Sequence, residues 1–195
     1  VIDPVAALVE HLAQYLQEQD GISLALRGWP ERREDLDLSH GPVVSVTPVE
    51  HRYTWCAPVP VAEADDDDGG LLVTYRLADL AIVVQLDLWC AHRAVRDQAR
   101  QTIETALHTE LPHVPGLELE LPMYFGQVAN VLPDTGRALD DADAVATGEW
   151  RQRWVLACDL GLVAQGRTPA QALIKIRTTT QLAGVSLTEP DVEIP

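Results

Sequence analysis

Between Leu80 and Trp89 every second residue is a large aliphatic: Leu80, Ile82, Val84, Leu86 and Leu88 alternate with Ala81, Val83, Gln85, Asp87 and Trp89. A period of two commits this stretch to a strand. The near-continuous apolar character of its second half is that of a central strand covered on both faces. The strand-like pattern reaches back to Leu71. Upstream, Val43 to Ala57 also reads as extended, with Val43, Ser45, Thr47, Val49, His51, Tyr53 and Trp55 on one side. Pro48 marks an edge or a bulge there. Consecutive strands usually lie beside one another, so the simplest pairing is a long antiparallel hairpin. Its connection is an acidic loop over 58–70 that holds Pro58, Pro60, the run Asp65 to Asp68, Gly69 and Gly70. Five carboxylates, Glu63, Asp65, Asp66, Asp67 and Asp68, then share the tip.

Helical spacing flanks this hairpin. Asp3 is placed to cap and Pro4 suits a first helical position, while Val5, Leu8, Val9, Leu12, Tyr15 and Leu16 form one face before Gly21. A short strand over Ile22 to Arg27 and a loop from Gly28 to Gly41 follow. A second helix is expected from about His92 to Leu111, burying Val95, Ala99, Ile103, Ala106 and Leu107. Arg93, Arg96 and Arg100 line another of its faces, with Arg100 and Glu104 one helical turn apart. Leu117, Leu119 and Leu121 alternate with Glu118 and Glu120 as a half-buried strand, and an acidic insertion over 126–148 comes next. A long strand starts near Glu149, with Trp150, Gln152, Trp154, Leu156, Cys158, Leu160 and Leu162 on one side. Gly166 and Pro169 bracket a turn. Leu173 to Gln181 reads either as a closing strand or as a short helix, and the tail 189–195 frays. The expectation is therefore one domain over 1–195 of the α/β (α+β) class. Its sheet is mixed but mainly antiparallel, with two amphipathic helices packed on it and a long protruding β-hairpin.

Charge narrows the function classes. Lys and Arg number 14 against 30 Asp and Glu, a formal net charge of −16, and Lys175 is the lone lysine. A surface that grips phosphates needs clustered cations, so external nucleic-acid binding is disfavoured. No apolar run approaches the ~20 residues of a membrane helix, and no basic-then-apolar segment opens the chain, which predicts a soluble chain that is not exported and has no membrane partner. Cys56, Cys90 and Cys158 stand at wide, irregular spacings, as reduced and mostly buried thiols would.

A search for chemistry finds no glycine-rich phosphate loop, no GxSxG elbow, no HExxH and no paired CxxC. The aspartate run lacks the alternating ligand spacing of a calcium loop, and Arg76 stands where that loop ends in Glu. His108, Glu110 and His113 straddle Pro112 at a helix end, where surface residues are the plainer reading. No catalytic residue, metal site or cofactor is predicted. Five tryptophans stand beside the single Phe125. Trp89, Trp150 and Trp154 fall on core positions, and Trp29 and Trp55 are the better interface candidates. The stripe Arg93, Arg96 and Arg100 is a further interface candidate. Asp87 points into a covered face, where it caps the second helix or pairs with an arginine.

The passage Val83-Val84-Gln85-Leu86-Asp87-Leu88-Trp89 runs directly into Cys90-Ala91-His92-Arg93-Ala94-Val95-Arg96-Asp97 and an amphipathic helix. This resembles the strand-to-helix signature of bacteriophage tail terminator, or neck, proteins. The order of helix, hairpin, helix and further strands is similar as well. The resemblance implies a non-enzymatic virion protein, assembled in the host cytoplasm. It implies a ring, hexameric in that family, that caps the tail tube, joins tail to head and meets tail-tube, sheath or head-connector proteins while DNA passes through. The acidic tip and the insertion 126–148 depart from the family pattern. An acidic subunit suits such a conduit, and its tip acids would face the lumen or a partner. Two other classes compete. An acidic DNA mimic would space its carboxylates along one face rather than cluster them at a tip. A metal-dependent hydrolase would have to draw on Asp87, Asp159, His51 and His92.

Overall fold

Asp3 begins the first helix, α1 (Pro4–Gln17): its carboxylate accepts the Val5 N–H at 2.9 Å, and Pro4 occupies a first-turn position where no N–H is needed. Leu8, Leu12 and Leu16 on its inner face are fully buried. The computed structural model to which α1 belongs describes residues 3–31, 36–65, 70–108, 116–133, 139–140 and 150–168. Past α1 come β1 (Leu24–Arg27), a single 3-10 turn (Leu38–His40), β2 (Val43–Asp65) and β3 (Leu71–Cys90). Then follow α2 (Arg93–Ala106), β4 (Leu117–Leu121), β5 (Gln127–Pro133), the two-residue β6 (Leu139–Asp140) and β7 (Trp150–Thr168).

The strands form one mixed, mainly antiparallel sheet in the order β1-β2-β3-β7-β5-β4, with β6 pairing β7 off that path. Two helices pack on it, which makes the fold α+β as expected. β1 pairs β2 in parallel, Leu24 opposite Val43, whereas β4 with β5 and β5 with β7 are antiparallel, Leu119 opposite Ala129 and Val131 opposite Cys158. Gln165 bonds Thr74 while Arg151 and Arg153 bond Asp87, so numbers fall on β7 as they rise on β3, and this pair is antiparallel too. Gly116, at φ +94°, enters β4 so close to β5 that a Cβ there would collide with the Val131 carbonyl.

By compactness the chain divides into two units, Val1–Cys56 with Ala78–Leu162, and Ala57–Leu77 with Val163–Pro195. In the larger, one face of the sheet is the core: Leu80, Ile82, Val84, Leu86 and Leu88 of β3 join Leu156 and Cys158 of β7, Val131 of β5 and Leu121 of β4. Ala99, Ile103 and Leu107 of the second helix are buried as well, and Tyr15 Oη donates to the Ala106 carbonyl at 2.9 Å, tying α1 to the end of α2. In the smaller unit Val73, Thr74 and Val163 are buried, and Gln165 Nε2 donates to Thr74 Oγ1 at 3.3 Å.

Several expectations need correction. The acidic loop over 58–70 is strand as far as Asp65, because Pro58 and Pro60 share one parity and withhold N–H groups from one edge only, which an edge strand tolerates. Part of the acidic insertion 126–148 is β5: Ala129 and Val131 are too small a pair to announce a strand, but they pair with Leu119 and Leu117 of β4. The second helix stops at Ala106 rather than Leu111. Two carbonyls that would extend it are taken by side chains, that of Ala106 by Tyr15 and that of Glu104 by the His108 ring. Gly166 lies inside β7, not in a turn. Coverage of β3 on both faces holds only from Leu86 to Cys90, since Asp79 and Ala81 are exposed. The expectations for Leu173 to Gln181 and for 189–195 lie outside the described residues.

Candidate functional site

On the sheet face opposite the main core, β3 carries Asp87 with no exposed surface. A carboxylate so placed needs donors, and β7 supplies them. Arg151 Nε and Arg153 Nε donate to Asp87 Oδ1 at 2.9 and 3.1 Å, and Gln85 Nε2 donates to Oδ2 at 2.6 Å. Aromatic rings enclose the first of these arginines. The Arg151 guanidinium lies 4.5 Å from the centre of the Trp29 ring and 4.6 Å from that of Trp89, and the two indoles meet edge to face at 5.7 Å. Trp89 Nε1 donates to Ser45 Oγ at 3.5 Å, which anchors the ring to β2.

The opening of β7 splits its side chains between the two faces, as a strand must. Arg151 and Arg153 go to Asp87, whereas Trp150 meets α2, with the Arg96 and Arg93 guanidiniums 5.2 and 5.9 Å from its ring centre. Gln152 beside it is buried, and among the described residues its Oε1 finds no hydrogen-bond donor. The second helix turns Arg96 inward and leaves Val95 exposed, contrary to expectation at these two positions, while Ala99, Ile103, Ala106 and Leu107 are buried as expected. Arg96 is 6% exposed and bonds Asp97 at 2.8 Å, and this hydrogen bond, with the charges of the neighbouring arginines, holds the Asp97 carboxyl below its usual range.

The expected interface residues are thus distributed. Arg93 and Arg100 stay on the surface, paired with Asp97 and Glu104 at 3.9 and 3.8 Å, contacts that contribute little in water. Trp29 is 45% exposed but serves as the lid of Arg151. Trp55 is 68% exposed and belongs to a stripe along β2, where His51 meets Tyr53 edge to face and Tyr53 stacks on Trp55 at 5.8 Å. Glu63 is exposed on β2 and Asp65 ends that strand, while Asp66, Asp67 and Asp68 lie outside the described residues. The structure brings Arg93 and Arg96 together over the Trp150 ring.

Of the two readings of Asp87, the pairing with arginine is the observed one, since the N-cap of α2 is His92 and no side chain bonds there. The partners Arg151 and Arg153 were missed in the sequence because they lie more than sixty residues downstream. Their signal is the repeat Arg-x-Arg at the start of a strand in a chain poor in cations.

Asp87 accepts hydrogen bonds from three donor side chains, and it holds two guanidiniums in place. The trio Asp37, Ser39 and His40 superficially resembles a nucleophile with its base. However, Ser39 Oγ and Asp37 Oδ2 both lie 3.1 Å from the same ring nitrogen, His40 Nδ1, so no proton can be relayed through the ring. These contacts instead cap the 3-10 turn, and hydrogen bonds from Ser39 pull the Asp37 carboxyl below its usual range. Among the described residues no three His, Cys, Asp or Glu side chains converge as a metal site, and Glu110 and His113 lie outside them. Cys56 is exposed, contrary to the expected burial, whereas Cys90 and Cys158 are buried, and burial pushes both of these thiols up to about 12. Among the described residues no helix is long and apolar enough to cross a membrane. The sequence matches no protein-family model and no curated protein.

Proposed function

We propose that this chain is a structural subunit of a tailed bacteriophage, a tail terminator or neck protein that assembles as a ring at the top of the tail tube and joins tail to head. The observation that carries this reading is the junction of β3 with α2. Asp87, Leu88, Trp89 and Cys90 are all buried, and only Ala91 and His92 separate them from the helix. It is here that the sequence resembles that family. The order of α1, hairpin, α2 and closing strands supports the same reading. The exposed aromatic stripe on β2 offers surface to neighbours in an assembly. A charge of −16 suits a conduit, because a wall that repels phosphate lets DNA pass without holding it. Its partners in this reading are copies of itself and the adjoining tail-tube, sheath or head-connector proteins, and its place is the virion.

Electron cryo-microscopy of particles made with and without the protein tests the proposal. We expect a ring of this chain where tail meets head, and unjoined heads and tails when it is missing. Complete, infectious particles formed without it would overturn the reading.

A further inference from the structure

β1 ends at Arg27, and just past it the Gly28 N–H donates to the Val46 carbonyl at 2.7 Å. Beyond Gly28 the chain turns onto the sheet face, where Trp29 meets Trp89 and Arg151, while β2 continues to Asp65. Among the described residues no strand therefore lies beside the outer edge of β2 past Val46. The Pro42 and Val46 carbonyls both accept from the β1 side, and main-chain groups alternate along a strand, so the even-numbered residues turn their backbone outward. Pro48 and Pro58 fall on that parity and withhold their N–H groups, which closes the edge at both ends. Between them Glu50, Arg52 and Thr54, all exposed, present donors and acceptors.

We infer that this edge pairs with the same edge of a second copy, antiparallel about a two-fold axis at His51. Charge chooses both the occupant and the direction. From Val43 to Ala62 the only formally charged side chains are Glu50 and Arg52, so this stretch is neutral in a chain of −16, and two copies can meet there without opposing like charges. A parallel pair in register would set Glu50 against Glu50. The antiparallel pair sets Glu50 opposite Arg52 of the other copy on both sides of the axis, and because both residues face outward they exchange main-chain hydrogen bonds. Thr54 then donates to the Pro48 carbonyl of the other copy, and the ladder ends there, since the Val46 carbonyl is already held by Gly28. On the face that carries His51, Val49 comes opposite Tyr53, an aromatic against a β-branched side chain, and the stack of Tyr53 on Trp55 extends into one stripe over both copies. The contact is isologous and cannot itself close a ring, so the inference goes beyond the ring reading and does not rest on it.

The mass of the full chain across a concentration series, followed by light scattering, tests it with charge reversals at these exposed positions. Arg52→Glu and Glu50→Arg should each raise the concentration at which copies pair about tenfold or more, because each sets like charges opposite one another on both sides of the axis. An equal mixture of the two variants should pair as the wild-type chain does, since opposite charges then meet throughout, and so should the Glu50→Arg, Arg52→Glu double variant. A second measurement fixes the register. In a Cys56→Ser background His51→Cys should form an intermolecular disulfide, being opposite itself, and Trp55→Cys should not. Pairing of both single variants at wild-type concentrations, or an associated His51→Cys chain that does not cross-link, would overturn the edge pairing while the ring stands. A wild-type chain that stays single at every concentration, with its Arg52 and Thr54 amides already protected from hydrogen exchange, would give the edge to another segment of the same chain and also overturn the inference. Particles that lack a ring of this chain would overturn the ring reading alone.

Discussion

β2 and β3 are neighbours in one sheet, yet from Pro48 to Ala64 every residue of β2 except Tyr53 is exposed, while on β3 only Arg76, Asp79 and Ala81 are. Hydrophobicity alone does not separate them, since Val49, Trp55, Val59 and Val61 are all large apolar side chains in the open. Position in the sheet does. β3 lies between two strands and under the helices, so each apolar side chain on its inner face finds partners. β2 loses its outer neighbour once β1 ends at Arg27, and its prolines fall where an edge strand can spare an N–H. One strand is built to hold the fold and the other to present side chains.

The contrast can be broken at its strongest point. Leu86→Ala or Ile82→Ala on β3 should destabilise by about 2 to 5 kcal/mol, read from denaturant midpoints, because each empties a fully packed site. Losses below ~0.5 kcal/mol at both positions would show that β3 is not the centre of the core. Asp87→Asn keeps the shape but leaves two guanidiniums without their counter-charge, and should cost about 2 to 3 kcal/mol. A matching loss in the Arg151→Gln, Arg153→Gln double variant, with no further loss when Asp87→Asn is added, would identify the cluster as one energetic unit. On β2, Trp55→Ala should change stability by less than about 0.5 kcal/mol and act instead on association.

The smallest effect sharpens the comparison chemically. A thiol reagent should modify Cys56 on β2 in the folded chain and reach Cys90 and Cys158 only on unfolding. The buried thiols stay protonated until about pH 12, whereas an unfolded chain ionises them from about 8.5. Their contribution to stability is therefore complete below that lower value and declines as pH rises from it toward 12.

How far the sequence revealed this fold follows the same division. Where burial imposes a period, the residues announce it: α1 by Asp3, Pro4 and the spacing of Leu8, Leu12 and Leu16, β3 by its alternating aliphatics, β7 by Trp154, Leu156 and Cys158. At an edge nothing is buried, so Pro58 and Pro60 looked like a turn when they are strand. The end of α2 was hidden because Tyr15, ninety-one residues away, takes the carbonyl that another turn would need. For the candidate site, Asp87 was legible as a buried acid that either caps the second helix or pairs with an arginine, and Trp29 as an exposed aromatic. The identity of the cations was not, since only the antiparallel pairing of β7 with β3 brings Arg151 and Arg153 to it. Arg96 was misplaced because a guanidinium can be buried when a ring and a carboxylate receive it, and Trp150 lies more than fifty residues beyond Arg96.

The proposal that this chain assembles as a ring is tested most directly by the mass of the purified chain in solution across a concentration series. Light scattering should show the mass rising from one chain toward a closed ring of about six. A mass that stays at one chain throughout the series would contradict the account.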